Sequence, residues 1–228
     1  MLAITEITTL KAAKAIAGSL GFPSKMPGTS YGIPATACKI GAKLVLLAGS
    51  TCSGCYALKG NYHKYQSVKV SQAARLAGLD HPQWANAMVY MLRAAHGLDG
   101  HKVASKVSSP GWHRWHDAGD LQSTGHLAAI CQIARRTPEL SHWLPTREVG
   151  ILATYVKAGG VIPANLTIRV SATMVDGNAT ARWPTTSTVH HHEAAKGQSC
   201  PAPTQGNECG SCRACWSLDV PNVSYHKH

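Results

Sequence analysis

The sequence has few acidic residues and no long apolar run. Its 228 residues contain 11 Asp and Glu against 22 Lys and Arg, so the formal net charge is +11 with histidine neutral. Apolar runs such as Leu44 to Ala48 are as long as a strand and too short to cross a membrane. The first helical pattern carries Glu6 and Lys11 where a secretory signal peptide would be apolar. We therefore predict a protein without membrane-spanning segments that stays in the compartment where it is made.

The excess of positive charge leaves two interpretations open. A net charge of +11 favours a polyanion such as nucleic acid as a partner. The basic residues are spread along the chain, however, and no run of five or more occurs. A solvated basic surface without a specific partner fits this distribution equally well.

Seven of the eight cysteines fall into two groups. The front cysteines are Cys38, Cys52 and Cys55, and the rear cysteines are Cys200, Cys209, Cys212 and Cys215. Without a secretion signal these thiols argue against a disulfide framework, because a reducing cytosol keeps thiols free. We therefore expect the two groups to bind metal or iron–sulfur clusters. The remaining cysteine, Cys131, lies on the apolar face of a predicted helix and is interpreted as a small core residue.

The rear cysteines carry the most specific spacing in the chain. In the pattern Cys209-x2-Cys212-x2-Cys215 three thiolates can turn back on one centre, which is typical of [4Fe–4S] loops. A fourth ligand is usually remote and often followed by proline, as in Cys200-Pro201. A structural zinc site with four cysteine ligands is the alternative, because zinc knuckles also use C-x2-C pairs.

The front cysteines form a group of three without an obvious local fourth ligand. Three thiolates can hold a [4Fe–4S] cluster and leave one iron open to another ligand. The front group could instead take a fourth thiolate from the tail, or front and rear cysteines could share a single cluster. One or two clusters therefore remain open from the sequence.

The hydrophobic pattern predicts a single α/β domain over residues 1–228. The predicted helices are Ile4 to Ser19, Gln66 to Leu79, Gln83 to Ala95, a helix capped by Ser123 or Thr124, and Val149 to Ala158. The predicted strands are Lys43 to Leu47, Trp112 to His116, His142 to Pro145 and Leu166 to Val170. Strands and helices that alternate at this spacing are typical of βαβ units and a parallel sheet.

Three parts of this domain differ in composition. Residues 1–65 hold the first helix, a loop from Phe22 to Thr36 and the front cysteines, and residues 66–174 hold the β/α core. Residues 175–228 form a tail rich in His, Pro and Cys, in which the pattern of helices and strands fades after Met174. We expect this tail to fold around a metal cluster.

Polar residues follow three predicted strands where each strand ends. The segments are Trp112 to Asp120, Thr146 to Glu148 and Ser171 to Thr173. The carboxyl ends of parallel strands form the ligand-binding edge of a sheet, so we expect one shared pocket for a small-molecule substrate. The candidate catalytic residues around it are Asp117, Asp120, Arg147 and Glu148. Hydrogen bonding within loops and helix capping is the alternative role for these residues.

A parallel α/β sheet with a three-cysteine loop after its first strand resembles the radical S-adenosylmethionine (SAM) enzymes. That resemblance implies a partial TIM-type barrel and a [4Fe–4S] cluster whose open iron binds SAM. It also implies a SAM-binding segment at Gly119 and Asp120. Ser171, which follows a later predicted strand, is a further candidate cofactor-binding residue. The usual spacing in that superfamily is C-x3-C-x2-C, whereas 13 residues separate Cys38 from Cys52 here.

A second resemblance covers nearly the whole chain. The segments that carry it are Lys25 to Gly28, Tyr31 to Pro34, Cys52 to Asn61, Arg114 to Gln122, Trp143 to Glu148 and Gly210 to Trp216. They resemble a family of phage-encoded proteins of unassigned function that occurs in phages of actinobacteria. The resemblance implies a phage protein that acts in the cytoplasm of a bacterial host.

Two functions follow as expectations from these patterns. The first is a phage iron–sulfur protein with radical-SAM-like redox chemistry at the front cysteines. The second is a basic protein without catalysis that binds nucleic acid or the transcription machinery. In that protein the iron–sulfur or zinc site would be a structural staple or a redox sensor.

Overall fold

The computed structural model describes residues 6–227, which form one parallel sheet with helices. The strands are β1 Thr29–Tyr31, β2 Trp112–Trp115, β3 Ser141–Thr146, β4 Leu166–Val175, β5 Thr186–His190, β6 Gln198–Ser199 and β7 Asn222–His226. The helices are α1 Leu10–Ala17, α2 Ile40–Leu44, α3 Gly60–Lys64, α4 Gln66–Gly78, α5 Trp84–Ala95, α6 Thr124–Arg136 and α7 Val149–Lys157. No helix within this range is long and apolar enough to serve as a membrane span.

The sheet has the strand order β1-β2-β3-β4-β5-β7-β6, and every neighbouring pair is parallel. Helices connect the first four strands, as parallel pairing requires a crossover. The predicted α/β class with a parallel sheet is therefore confirmed. The described strands form an open sheet, with β1 and β6 at its edges, that does not close into a barrel.

Two predictions near the front cysteines are wrong. The apolar run from Lys43 to Leu47 is not a strand, because α2 and the turns after it occupy these residues. Leu46 and Leu47 are 88% and 49% exposed, so the run is not buried as a sheet strand would be. Within the predicted loop from Phe22 to Thr36, β1 forms a fully buried edge of the sheet. Three residues among prolines and glycines give too little alternation to predict a strand.

The first helix is shorter than its sequence pattern. Its predicted start at Ile4 lies outside the described residues, and the observed α1 begins at Leu10. The Thr9 hydroxyl accepts a hydrogen bond from the Ala12 backbone nitrogen at 3.2 Å, which caps the helix at this point. Ser123 caps α6 in the same way through the His126 nitrogen at 3.0 Å, as the sequence predicts.

The tail contains more regular structure than predicted. Strand β4 continues to Val175, and β5, β6 and β7 extend the same sheet. These strands are rich in Ser, Thr, Asn and His, so their hydrophobic pattern is weak. Their side chains pair with one another instead, as Thr188 and Ser224 do at 3.1 Å. The expectation that the pattern of strands ends at Met174 is therefore wrong.

The two faces of the sheet pack against different layers. Alternate residues of a strand point to opposite faces. On one face Trp115, Leu144 and Ile168 join the main core with residues of α1, α5, α6 and α7. On the other face Trp143 joins a second apolar cluster with Trp216, against which three rear cysteines pack. The cysteine-rich tail thus covers the sheet face opposite the main helices.

Candidate functional site

The front cysteines lie at the carboxyl edge of the sheet. The segment that carries them, residues 32–59, follows β1 and crosses the ends of β3 and β4. We call this segment the front loop. Its Thr51 backbone nitrogen donates to the Thr173 carbonyl at 2.9 Å, and the Thr51 hydroxyl donates to the Ala172 carbonyl at 3.0 Å. The predicted order of a first strand followed by a cysteine loop is therefore present, although the strand is β1 and not residues 43–47.

Gly41 leaves room between two front thiols. A Cβ atom on residue 41 would stand 3.5 Å from Cys38 Sγ, 3.8 Å from Cys52 Sγ and 3.0 Å from Cys38 Cβ. Any larger residue at position 41 would therefore fill the space that these two sulfurs border. The glycine backbone has an ordinary helical conformation there, so space and not φ explains the residue.

Burial controls the ionisation of the front thiols. It raises the pKa of the Cys38 thiol to about 12, and the Asp120 carboxylate and the other two front cysteines act in the same direction. It also raises the pKa of the Cys52 thiol. The Arg147 guanidinium opposes both increases. Cys38 and Cys52 are therefore neutral thiols next to one cation, and bound metal would favour their ionisation.

Two of the candidate catalytic residues tie the strand ends together. The Asp120 carboxylate accepts hydrogen bonds from Thr146 Oγ1 at 2.5 Å, Leu121 N at 2.8 Å and Arg147 N at 2.9 Å. Burial raises its pKa to about 6, and these hydrogen bonds oppose the increase. The Arg147 side chain donates to Thr51 Oγ1 at 2.8 Å. Asp120 and Arg147 thus connect β2, β3 and the front loop.

Glu148 holds the start of α2 in place. Its Oε1 accepts hydrogen bonds from the backbone nitrogens of Ile40 at 2.8 Å and Lys39 at 3.2 Å. Because Cys38 directly precedes these residues, Glu148 fixes the first front thiol relative to the end of β3. We therefore assign Glu148 as a residue that positions Cys38 and not as one that contacts a ligand.

Gly119 lies beyond the end of β2 and Ser171 lies within β4, and both have close protein neighbours. Gly119 has φ +79°, and a Cβ atom there would lie 2.3 Å from Ile33 Cγ1. Glycine is therefore required for the β1 and β2 ends to approach each other. Ser171 Oγ accepts a hydrogen bond from Ser187 Oγ at 3.1 Å, on the neighbouring strand.

Asp117 borders a cavity of about 380 Å³. Its Oδ2 accepts hydrogen bonds from Ser30 Oγ at 3.1 Å and Tyr62 OH at 3.3 Å. Its Oδ1 is buried and has no hydrogen-bond partner among the described residues. Asp117 therefore keeps one buried carboxylate oxygen that no described residue satisfies. Sequence patterns gave no signal for Tyr62, because that residue comes from α3 and not from a strand end.

The rear cysteines are brought together on the other sheet face. Cys215 is buried in the second apolar cluster, and Cys200, Cys209 and Cys212 pack against that cluster. The Cys200 backbone nitrogen donates to the Ser224 carbonyl at 2.8 Å, which anchors this residue beside β7. The two predicted groups of cysteines are therefore separate in space as well as in sequence.

Neither the front nor the rear cysteines, as the described residues place them, are arranged to bind a single metal ion. Among residues 6–227, no three or more His, Cys, Asp or Glu side chains are arranged to hold a metal ion. A zinc ion would require four thiolates to converge at about 2.3 Å from one point. A four-iron cluster binds each thiolate at a different iron, so its ligands lie farther apart. Both groups supply only cysteine thiols, and this donor set fits an iron–sulfur cluster chemically. Cys131 is fully buried in the main core, as predicted.

The sequence patterns indicated no function for two arginines on this face, the fully buried Arg169 and the half-buried Arg114. Arg169 has no exposed surface and donates only to backbone carbonyls. The acceptors are Cys215 at 3.0 Å, Ala214 at 2.7 Å, Ser217 at 2.7 Å, Val220 at 3.0 Å and Thr186 at 3.1 Å. Arg169 therefore fastens the last rear cysteine to β4 and β5.

Arg114 lies over the Trp143 ring at 4.5 Å from its centroid. Its Nε is buried without a hydrogen-bond partner in the described part of the chain. Burial raises the pKa of the Cys215 thiol to about 12, and Arg169 and Arg114 oppose that increase. Burial lowers the pKa of the Arg114 guanidinium, and the charges of Tyr56 and Asp117 at the front edge raise it. Arg114 thus lies between the front edge and the rear cysteines.

The fold and the site together define a cysteine-rich protein of the β/α class, with thiols at the carboxyl edge of an open parallel sheet. The chain belongs to the Gene product 88 family, whose model matches residues 3–218. This is a family of phage gene products of unknown function, so the predicted resemblance to a phage family is confirmed. Neither the curated proteins nor the solved structures contain a match to the chain. The resemblance to radical SAM enzymes stays a prediction.

Proposed function

We propose that this phage protein is an iron–sulfur protein with radical-SAM-like redox activity in the host cytoplasm. The observation that carries the proposal is the position of the front cysteines. They lie on the loop after the first strand of a parallel sheet, at the edge where the carboxyl ends of β3 and β4 meet that loop. Parallel α/β sheets bind ligands at this edge.

The front group would hold a [4Fe–4S] cluster through Cys38, Cys52 and Cys55, leaving one iron open. When bound, such a cluster supplies an electron for reductive cleavage of SAM, whose amino and carboxylate groups chelate the open iron. The space bordered by Cys38 Sγ and Cys52 Sγ, which Gly41 leaves open, supports this assignment. The Arg147 guanidinium would offset part of the negative charge of the thiolates.

The protein residues around this centre would divide into two kinds. Asp120 accepts three hydrogen bonds from the protein, and Glu148 Oε1 accepts two from the front loop, so we assign both as positioning residues for that loop. Asp117 has a carboxylate oxygen without a partner among the described residues and borders a cavity. It is the candidate that would contact a substrate.

The rear cysteines would hold a second [4Fe–4S] cluster that relays electrons or binds substrate. Four thiols pack against one apolar cluster there, and Arg169 and Arg114 place positive charge next to Cys215. Such charge favours a cluster with four thiolate ligands, which carries net negative charge. A zinc ion bound by the same four thiolates remains the alternative.

Electron paramagnetic resonance of the dithionite-reduced protein tests the proposed activity. We expect saturating SAM to change the spectrum of the wild type, because SAM would bind the open iron. Cys38→Ala should abolish the change, whereas the matched control Cys131→Ala removes a core thiol and should retain it. A wild-type spectrum that saturating SAM leaves unaltered would refute the radical-SAM assignment.

A further inference from the structure

The positive charge of the chain is concentrated around the front loop. Between Glu6 and Asp80 the sequence contains no acidic residue. The same stretch contains nine basic residues, which are Lys11, Lys14, Lys25, Lys39, Lys43, Lys59, Lys64, Lys69 and Arg75. The net charge of +11 therefore arises largely from this third of the chain. A one-signed surface of this kind attracts a polyanion.

Five of these lysines are exposed on the front loop and on the helices that follow it. They are Lys39, Lys43, Lys59, Lys64 and Lys69. The ion pairs of the described residues all use Arg93, so these lysines have no carboxylate partner there. Two tyrosines lie among these lysines in the sequence, and they are exposed as well, Tyr56 to 55% and Tyr65 to 48%. Exposed rings among uncompensated cations are typical of surfaces that bind single-stranded nucleic acid.

The cavity of about 380 Å³ opens between α3, α4 and the segment before β1. Phe22 and Tyr62 supply rings to its wall, and Asn61 and Gln72 supply amides. The Asp117 carboxylate also lines it and would repel a phosphate, but it can accept hydrogen bonds from the amino group of a base. Arg75 also lines the cavity, but its guanidinium already donates to the Ser19 carbonyl at 2.7 Å and to the Gly32 carbonyl at 3.0 Å. Rings, amides and a carboxylate in the wall thus fit a nucleobase better than an anion.

We infer that this surface binds a single-stranded polynucleotide. The phosphates would lie along Lys59, Lys64 and Lys69, the exposed tyrosines would stack on bases, and one unpaired base would enter the cavity. Charge complementarity over an acid-free stretch of more than seventy residues carries the inference. It goes beyond the proposed redox activity and does not depend on a bound cluster.

Fluorescence anisotropy with labelled oligonucleotides tests this inference. The probes are single-stranded DNA, single-stranded RNA, duplex DNA and an abasic strand with the same number of phosphates. We expect either single strand to bind at least about tenfold more tightly than the duplex and the abasic strand, because stacking contributes about 1–3 kcal/mol per base. The DNA and RNA arms identify which sugar the site prefers.

A charge-matched pair of triple variants locates the surface. Lys59→Gln, Lys64→Gln and Lys69→Gln together should weaken binding about 100-fold at 0.1 M salt and reduce the salt slope by about 2. The control triple Lys102→Gln, Lys106→Gln and Lys157→Gln removes the same charge from exposed lysines elsewhere and should retain binding. An equal loss in the control triple, no binding at low salt, or equal affinity for the abasic strand would overturn the inference.

Discussion

Lowering the pH from 7 to 5 is expected to unfold this protein. The reason is a set of five buried histidines, which are His96, His113, His116, His126 and His142. Burial lowers the pKa of each, to about 4 for His96 and His126 and to about 3 for His142. The pKa values of His113 and His116 are also well below 6.5, chiefly through burial.

The sign of the effect follows from proton binding. A histidine that is neutral in the fold and titrates at 6.5 when unfolded stabilises the fold above pH 6.5. That stability is lost as the pH falls from 6.5 towards the folded pKa, because the unfolded chain binds more protons. Each histidine costs about 2 kcal/mol between pH 7 and 5, or about 10 kcal/mol for five. Asp120, whose pKa is raised to about 6 mainly by burial, offsets about 1 kcal/mol of this loss.

Hydrogen bonds also favour the neutral form of two of these rings. His96 Nδ1 accepts from the Gly111 backbone nitrogen at 3.0 Å, and His142 Nδ1 accepts from the Trp115 indole at 3.3 Å. A proton on either Nδ1 atom would place two N–H donors face to face, so the hydrogen bond would be lost and the protonated ring disfavoured. Neither ring nitrogen of His116 has a partner among the described residues, and no carboxylate pairs with it there.

Urea unfolding at pH 7, 6 and 5 measures this effect. The free energy of unfolding of a domain is about 5–15 kcal/mol, so a loss near 10 kcal/mol leaves little or none. His116→Asn should recover about 2 kcal/mol of the loss, since asparagine tolerates the positive φ of 52° at this position. The exposed His101→Asn is the control and should recover nothing. Equal stability at pH 7 and pH 5 would contradict the assignment of neutral buried histidines.

Replacing Arg169 is expected to give the largest loss of stability of any single substitution on the tail side of the sheet. Arg169→Met would remove the guanidinium donor of five backbone carbonyls, three of them on buried residues. We expect a cost of about 3–5 kcal/mol, which is typical of breaking a buried charged network. Exposed Arg182→Met is the matched control and should change stability by less than about 0.5 kcal/mol.

Thiol reactivity distinguishes a local role of Arg169 from general destabilisation. Cys215 is buried, and its carbonyl is one of the acceptors of Arg169. At pH 7 and without denaturant, Arg169→Met should expose Cys215 to a thiol reagent while Cys131 in the main core stays protected. Equal exposure of both cysteines would mean that the arginine stabilises the whole domain and does not specifically hold the tail.

The central helices and strands could be predicted because their patterns are regular. Helices α4 to α7 and strands β2 to β4 agree with the sequence to within a few residues, since apolar residues repeat at helical spacing or form short runs there. Strands β1 and β5 to β7 could not be predicted. They are two to five residues long, and β5 to β7 are largely polar, so tertiary pairing and not local pattern creates them.

The candidate site was predictable in its composition but not in its arrangement. Spacing alone separated the front and rear cysteines, and strand ends identified Asp120 and Glu148. The donors to Asp120 come together where the ends of β2 and β3 meet, and the donors to Glu148 come from the front loop, so neither set follows from the local sequence. The same holds for Arg169, which in the sequence is one polar residue within an apolar strand. Its five acceptors come from segments that only the fold brings together.

Iron and acid-labile sulfide per chain, measured on protein purified without oxygen, show whether the front and rear cysteines bind two iron–sulfur clusters. We expect about eight iron and eight sulfide per chain, falling to about four of each in Cys38→Ala and in Cys212→Ala, because the two groups would bind separate clusters. Cys131→Ala should keep the full content. Zinc without sulfide in the wild type, or no metal at all, would contradict the assignment of iron–sulfur clusters.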